Sequence, residues 1–212
     1  MASKPLSGRR AEAARNDLLI LEAAREVFVA DPNAPIAAVA ERAGVGIGAL
    51  YRRYASKEEL LRQLCADGLQ QYIAAAEAAL ADEEGDPWSA FTEFMRRIVD
   101  ADTHSLTLSL AGTFTPTEEL YRDSQKAQEI SVRLFEHTKA AGAIRSDIEV
   151  VDISLLFEQL AAVRVAGEER TRQLRRRYLQ LLVDALHAPS GSPLPGEPPS
   201  WEEINQRWES KS

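Results

Sequence analysis

The sequence predicts an all-α fold, and two observations support that prediction. Apolar residues recur at the i, i+3, i+4 and i+7 positions of a helix face through most of the 212 residues, and no segment keeps the period-two alternation of a half-buried strand. The composition, 45% hydrophobic and 27% charged, is that of a globular protein large enough to bury a core. We therefore expect helices packed on helices.

Three helices are predicted near the N-terminus. The Asp-Pro-Asn sequence of residues 31–33 ends the first of them. Two shorter helices follow, at residues 36–43 and 47–54, and a turn at residues 44–46 joins them. The apolar face of the first helix consists of Ile20, Ala23, Ala24, Val27 and Phe28.

A larger helical region follows. Ser56 is the predicted N-cap of a long helix, and Glu59, three residues on, completes a capping box. This helix ends near residue 81, where an acidic turn containing Pro87 breaks it. Further helices are predicted at about residues 87–103, 117–141, 150–165 and 168–187, with a short apolar piece around residues 105–111.

The C-terminal residues change in character. Residues 189–199 contain five of the ten prolines, which predicts an extended linker. Ser200 then begins a capped helix with Trp201, Ile204 and Trp208 on one face, which either docks on its own domain or holds the partner subunit or a second protein. The chain thus divides into a flexible basic arm (1–14), a helix-turn-helix domain (15–61), a helical domain (62–188) and a Pro-rich tail with a short terminal helix (189–212).

Three glycines fall within five positions at Gly44, Gly46 and Gly48. A phosphate-binding loop is excluded because a helix rather than a strand precedes them and no lysine closes the motif. Two short helices joined by a glycine-containing turn instead have the pattern of a helix-turn-helix unit. Gly44 fits the position after the first helix, where φ is positive, and Gly46 and Gly48 remove side-chain bulk where the second helix would approach DNA.

The sequence AERAGVGIGALYRRY at residues 40–54, followed by SKEEL at residues 56–60, resembles the DNA-binding domain of the tetracycline-repressor (TetR) family. A preceding helix such as ILEAAREVF at residues 20–28 and the all-helical remainder match the layout of that family. The resemblance implies a homodimer that binds a palindromic operator in double-stranded DNA, represses promoters, and releases DNA when a small-molecule effector binds. An architectural or activating DNA-binding protein with the same head is the alternative.

The resemblance also implies which residues contact DNA. Tyr51 and Lys57 would contact phosphates, and Arg52 would contact a guanine. Leu50 would face inward, while Ala49 stands where the family usually has a hydroxyl side chain. The basic arm either stays disordered or enters a minor groove. The predicted DNA-binding residues are Ile36, Ala37, Ile47, Gly48, Ala49, Tyr51, Arg52, Arg53, Tyr54 and Lys57.

Two further sites are predicted in the helical domain. The last two helices form an adjacent antiparallel pair, as in a dimer-forming four-helix bundle. Their predicted interface residues are Leu156, Leu160, Val163, Leu174, Tyr178, Leu181, Leu182 and Ala185. The predicted effector pocket lies among the middle helices, lined by Trp88, Phe91, Met95, Ile98, His104, Leu108, Phe114, Tyr121, Phe135 and Phe157.

Charge and composition restrict the other classes of function. Residues 1–62 contain 10 Lys and Arg against 8 Asp and Glu, whereas the remainder contains 15 against 25, so positive charge is concentrated in the head. The three histidines have no paired metal spacing, and Cys65 lies among leucines at helical spacing. No apolar run approaches the roughly 20 residues of a membrane span. We expect no enzyme, no cofactor, no metal and no membrane, and a cytoplasmic, nucleoid-associated bacterial protein.

Overall fold

The computed structural model describes residues 8–81, 85–102, 114–189 and 191–204, with side chains from residue 15 onward. Within these ranges the backbone forms helices and one isolated antiparallel bridge, between Ile144 and His187, so the predicted all-α fold is confirmed. The helices are α1 (Gly8–Ala30), α2 (Ile36–Ala43), α3 (Ile47–Arg53), α4 (Lys57–Leu80), α5 (Pro87–Ala101), α6 (Glu118–Ala140), α7 (Val150–Ala162) and α8 (Glu168–Leu186).

The predicted flexible arm is corrected at residues 8–14, which are helical and extend α1 toward the N-terminus. These residues include alanine, arginine and glutamate, which favour helix, and no proline interrupts them. The remainder of the arm, residues 1–7, and the short apolar piece at residues 105–111 lie outside the described residues.

The head, formed by α1, α2, α3 and the first half of α4, has its own hydrophobic core. Phe28, Val39 and Leu50 are fully buried in it, and Leu60 and Leu64 of α4 complete it. Because the same α4 continues into the second core, the head is built directly onto the rest of the molecule.

The start of α4 is capped nearly as the sequence predicts. The Ser56 hydroxyl accepts a hydrogen bond from the Glu59 N–H at 3.1 Å. The Glu59 carboxylate, however, accepts from the Ala55 N–H at 2.7 Å, one residue before the N-cap. The reciprocal contact of a capping box is therefore shifted by one residue.

The body consists of the second half of α4 together with α5, α6, α7 and α8, around a larger core. Phe94 of α5 lies at its centre and packs edge-on against Tyr72 and Phe157, with ring centroids 5.3 Å and 6.4 Å away. The Tyr72 hydroxyl is 2.8 Å from the Ser131 hydroxyl of α6, and burial raises the pKa of Tyr72. α4 therefore joins α5 and α6 through both apolar and polar contacts.

The beginning of the C-terminal tail is bound to the body, which the prediction of a simple linker did not anticipate. The Arg145 guanidinium binds Asp147 through two nitrogens, at 2.6 Å and 2.8 Å, and donates to the Ser192 carbonyl at 3.1 Å. Asp147 also accepts from the Leu194 N–H, and these contacts hold the pKa of Asp147 well below its usual range. Residues 192–194 are thus fixed against the turn between α6 and α7.

Farther along the tail, the predicted capped helix begins as expected. Ser200 and Glu203 form both contacts of a capping box, and residues 201–204 are helical. Trp208 lies outside the described residues. No helix in the described ranges is both long and apolar enough to span a bilayer.

Candidate nucleic-acid interface

The turn between α2 and α3 has the geometry that the sequence predicts. Gly44 has a φ of 66° and a ψ of 27°, the left-handed conformation that favours glycine, and its N–H caps the carbonyls of Ala40 and Glu41. Gly46 is the N-cap of α3. Leu50 on α3 is 0% exposed and holds this helix against the head core. These residues fix one face of α3 and leave the other in solvent.

The outward face of α3 combines apolar, aromatic and cationic side chains. Ile47 and Tyr51 are 43% and 47% exposed. Arg52, which follows Tyr51 toward the C-terminal end of the helix, is also exposed. Ala37 on α2 is exposed, while Ala49 is half-buried. A protruding helix with these groups has the size and chemistry to enter a major groove.

The two adjacent arginines of α3 have different surroundings. The Arg53 Nε donates to Asp17 of α1 at 2.8 Å, and its guanidinium lies 5.3 Å from the centre of the Tyr54 ring. The hydrogen bond to Asp17 raises the pKa of Arg53. Arg52 makes no hydrogen bond or ion pair with any residue that the structure describes. Arg52 is therefore the α3 cation available for a ligand.

Two predicted DNA-binding side chains are corrected by their burial. Tyr54 is 3% exposed and Ile36 is 8% exposed, and both belong to the head core. Tyr54 follows the last helical residue of α3, and its extended backbone turns the ring inward. Burial raises the pKa of Tyr54. Neither side chain lies on the exposed face with Tyr51.

Lys57, the predicted phosphate contact on α4, is directed into the protein. Its ammonium donates to the carbonyls of Pro32 and Ala34, at 3.0 Å and 2.8 Å, and lies 4.9 Å from the centre of the Phe28 ring. The side chain therefore joins the α1–α2 connection to the start of α4. This arrangement differs from the predicted contact because carbonyls more than twenty residues earlier in the chain are close to the ammonium.

Gly46 and Gly48 are not required by packing within the chain. A Cβ atom at Gly46 would meet no heavy atom within 4 Å, and one at Gly48 would meet only the end of the Arg52 side chain, at 3.9 Å. Neither glycine has the positive φ of Gly44. Both positions are exposed, so the space at each of them opens toward solvent.

The predicted effector-pocket residues are dispersed between several environments. Phe91, Met95, Ile98, Phe135 and Phe157 are buried in the body core, and Trp88 packs at its edge. Two assignments are corrected, because Phe114 packs against the head core and Tyr121 is 59% exposed. His104 and Leu108 lie outside the described residues.

Two spaces border the middle helices in the described part of the chain. A cavity of about 10 Å³, enough for about one water, lies beside Ile98, Asp102, Phe157 and Arg175. A larger open groove of about 350 Å³ runs between α4 and α5, which is within the usual size of small-molecule sites. The groove is lined by Gln71, Ala74, Ala75, Arg97, Ile98 and Ala101.

The predicted dimer residues are partly outward and partly inward. Tyr178 and Leu181 on α8 are exposed by 44% and 58%, and Ala185 is also exposed. Leu160 is corrected, since it is 3% exposed within the body core. The remaining four, Leu156, Val163, Leu174 and Leu182, are half-buried.

The described residues hold neither a grouped set of metal ligands nor a reactive thiol. No three His, Cys, Asp or Glu side chains there are grouped to hold a metal ion. Cys65 is half-buried against the head core, and burial raises its pKa to about 12. A thiol with that pKa is an unreactive packing group.

Sequence reasoning missed several residues that shape this surface. Asp17 determines which arginine of α3 remains free, and Arg25 and Arg164 join the head to the body. Their partners lie between 36 and 135 residues away in the chain. No local spacing pattern could have identified such pairs.

Comparison with known proteins gives matches in both parts of the chain. The sequence model described as "Bacterial regulatory proteins, tetR family" matches residues 20–64, and the one described as "Transcriptional regulator SbtR-like, C-terminal domain" matches residues 86–188. Together the two cover more than two thirds of the sequence. None of the curated proteins compared with the chain matches it.

Solved structures show the same fold. The TetR transcriptional regulator SCO0520 from Streptomyces coelicolor is 26% identical, with 82% of this chain and 99% of that one covered and a TM-score of 0.58. A TetR transcription regulatory protein from Mycobacterium vanbaalenii is 27% identical, with coverages of 84% and 99% and a TM-score of 0.54. LfrR from Mycobacterium smegmatis, solved in complex with proflavine, is 22% identical, with coverages of 78% and 95% and a TM-score of 0.53.

Proposed function

We propose that this chain, which belongs to the TetR family of DNA-binding transcriptional regulators, acts as a homodimeric repressor that binds a palindromic operator and is released by a small-molecule effector. In a symmetric dimer, two copies of α3 would enter successive major grooves about 34 Å apart. The effector would favour a different separation of the two heads and so shift the population away from DNA.

The outward face of α3 is the observation that carries the proposal. Leu50 anchors the helix, while Tyr51 and Arg52 stand in solvent, and Gly48 lies beside the Arg52 guanidinium. Arg52 pairs with no residue that the structure describes. A guanidinium in this position can donate two hydrogen bonds to a guanine, and a tyrosine hydroxyl can reach a phosphate. The exposed methyl group of Ala37 offers contact to a thymine methyl.

The dimer is assigned to the exposed apolar residues of α8. Tyr178 and Leu181 are large side chains that the body leaves in solvent, and α7 and α8 lie side by side. Two such pairs, related by a two-fold axis, would cover these residues in a four-helix bundle.

We place the effector in the groove between α4 and α5. Its lining combines the small or apolar side chains of Ala74, Ala75 and Ile98 with the polar side chains of Gln71 and Arg97. Since α4 runs from this groove into the head core, a ligand there contacts the helix that carries the head. The proflavine complex of LfrR supports a small molecule as the kind of effector.

The direct test is selection of bound duplexes from random DNA by the purified protein, followed by footprinting. A palindromic sequence with two protected half-sites about one helical turn apart would establish the dimeric operator. Enrichment without two-fold symmetry would instead favour the architectural alternative. Transcription in vitro from a template carrying the selected site then separates a repressor from an activator.

We predict that Gly48→Ala weakens operator binding without destabilising the protein. The methyl group meets no crowded neighbour within the chain and replaces a glycine in a helix, so the free energy of unfolding should stay equal or rise by up to about 1 kcal/mol. Toward DNA the same methyl group obstructs close approach, with an expected loss of roughly tenfold in affinity. Fluorescence anisotropy and thermal unfolding measure the two effects.

Gly68→Ala is the matched control, because Gly68 lies in α4 and its added Cβ would meet no heavy atom within 4 Å. It should leave operator affinity unchanged. Equal affinity for Gly48→Ala and the wild type would contradict the close approach of α3 to DNA.

We predict that Lys57→Met lowers stability and leaves the salt dependence of operator binding unchanged. The substitution leaves the half-buried carbonyls of Pro32 and Ala34 without their donor, at a cost of about 1–3 kcal/mol in the free energy of unfolding. A side chain that neutralised a phosphate would instead reduce the slope of log affinity against log salt by about one per subunit, or about two for the proposed dimer.

The salt titration and a thermal melt, run on the same preparations, distinguish these cases. Lys126→Met serves as the comparison, since Lys126 is an exposed body residue paired with Glu77. A smaller salt slope for Lys57→Met, with unchanged stability, would restore Lys57 to the DNA contacts.

A further inference from the structure

Arg25 joins the head to the end of α5. Its guanidinium projects from α1 and donates to the Ala101 carbonyl at 2.7 Å and to the Asp67 carboxylate of α4 at 3.1 Å. Ala101 is the last residue of α5, where a helix carbonyl has no partner within its own helix. The Arg25 side chain is 19% exposed, so this contact is largely removed from water.

Arg175 continues the connection from α5 to the proposed dimer helices. This buried side chain on α8 pairs with Asp102, the C-cap of α5, at 2.6 Å. It also donates to the carbonyls of Ala161 and Val163, at 2.9 Å and 3.1 Å, and so caps the C-terminal end of α7. The backbone of Asp102 itself is left-handed, with a φ of 50°.

Arg164 joins the end of α7 to the head. It follows the end of α7 and donates to the carbonyl of Val29 in the last turn of α1. Each of the three arginines therefore binds carbonyls at the C-terminal end of a helix, where the helix dipole favours a cation. We call Arg25, Arg164 and Arg175 the arginine seam.

We propose that the arginine seam sets the orientation of the DNA-binding head relative to the dimer helices, and thereby the spacing of half-sites that the protein accepts. This inference rests on the proposed dimeric operator binding. Arg25, Arg164 and Arg175 are positioning residues, since all three are engaged within the chain. The groove assigned to the effector also includes Ala101, whose carbonyl Arg25 holds.

The arginine seam attaches the head to two different helices of the body, which is why it fixes the orientation of the head. Arg25 holds α1 to α5, whereas Arg164 holds the end of α1 to the end of α7. Arg175 binds α5 and α7 to the same helix, α8, which carries Tyr178 and Leu181. Charge-assisted hydrogen bonds at two separate points of α1 resist rotation of the head about α4, which a single contact would allow.

The test compares operators that differ only in half-site spacing. The two proteins are wild type and the double variant Arg25→Met with Arg164→Met. Each is titrated by fluorescence anisotropy against the selected operator and against versions with one base pair inserted or removed at its centre. A duplex with one half-site is titrated in the same way. Thermal unfolding is measured for each protein. Arg172→Met, an exposed arginine of α8 paired with Glu169 in its own helix, is the matched control.

We expect wild type to prefer the selected spacing by about 5- to 150-fold, the usual range of coupling between sites. The double variant should bind all spacings within about twofold of one another, while its half-site affinity stays close to wild type. Its melting temperature should fall, because the Ala101 carbonyl and the Asp67 carboxylate lose their donor. The single variant Arg25→Lys keeps the charge but has one nitrogen in place of the guanidinium fork. It should therefore retain the wild-type spacing preference only in part.

Retention of the wild-type spacing preference by the double variant would overturn the inference. An equal loss of affinity on every duplex, in parallel with a lower melting temperature, would also overturn it and assign the seam to stability alone. A wild-type protein without preference for two half-sites would instead contradict the proposed dimeric operator, and the seam inference with it.

Discussion

Leu181→Glu is expected to produce a folded monomer whose operator affinity is lower by a factor of about 10² to 10⁴. Leu181 is 58% exposed in the single chain, so a carboxylate there is solvated and costs little stability. In the proposed dimer the substitution occurs twice across the two-fold axis and buries two like charges. Loss of the second half-site contact removes the effective concentration that a dimer provides.

Sedimentation equilibrium gives the oligomeric state, and anisotropy on the selected operator gives the affinity. Tyr121→Glu is the control, since Tyr121 is an equally exposed apolar residue, 59%, on α6 and away from α8. It should remain dimeric. A dimeric Leu181→Glu protein with full affinity would place the interface elsewhere.

Arg52→Ala is expected to lower affinity by about 1–3 kcal/mol per half-site and to relax the base preference at one position of each half-site. The reason is that Arg52 has no partner among the described residues, whereas Arg53 is held by Asp17. Addition of Tyr51→Ala should abolish specific binding. Neither change removes a buried group, so the melting temperature should remain close to that of the wild type.

Selection from random DNA with the Arg52→Ala protein measures the relaxed position directly. Arg96→Ala, which removes the same charge from the body, should retain the wild-type motif. An unchanged motif and affinity for Arg52→Ala would remove α3 from sequence recognition.

Local sequence patterns predicted the elements of the head well. The left-handed Gly44 and the Ser56 cap each depend on residues within four positions in the chain, whereas the inward direction of Leu50 was implied by the family resemblance. Backbone conformation and capping are local properties, so their residue preferences are readable along the chain. The TetR resemblance that rested on these residues is confirmed by the family matches.

The directions of individual side chains were less predictable. Neighbouring arginines at positions 52 and 53 differ only because Asp17 lies beside one of them, and Lys57 turns inward because two carbonyls of the α1–α2 connection are near it. Tyr54 lies just beyond a helix of seven residues, too short for its periodicity to define an inward face. These outcomes depend on tertiary contacts, which leave no local pattern.

The burial of Cys65 makes the chain a convenient host for site-directed spin labelling. Burial raises the pKa of Cys65 to about 12, so the thiol stays protonated at neutral pH and reacts slowly with thiol reagents. An exposed cysteine introduced at Glu41 on α2 would therefore carry nearly all of the label. Because a homodimer then contains two labels, pulsed electron resonance would report the distance between the heads in the free, DNA-bound and effector-bound forms.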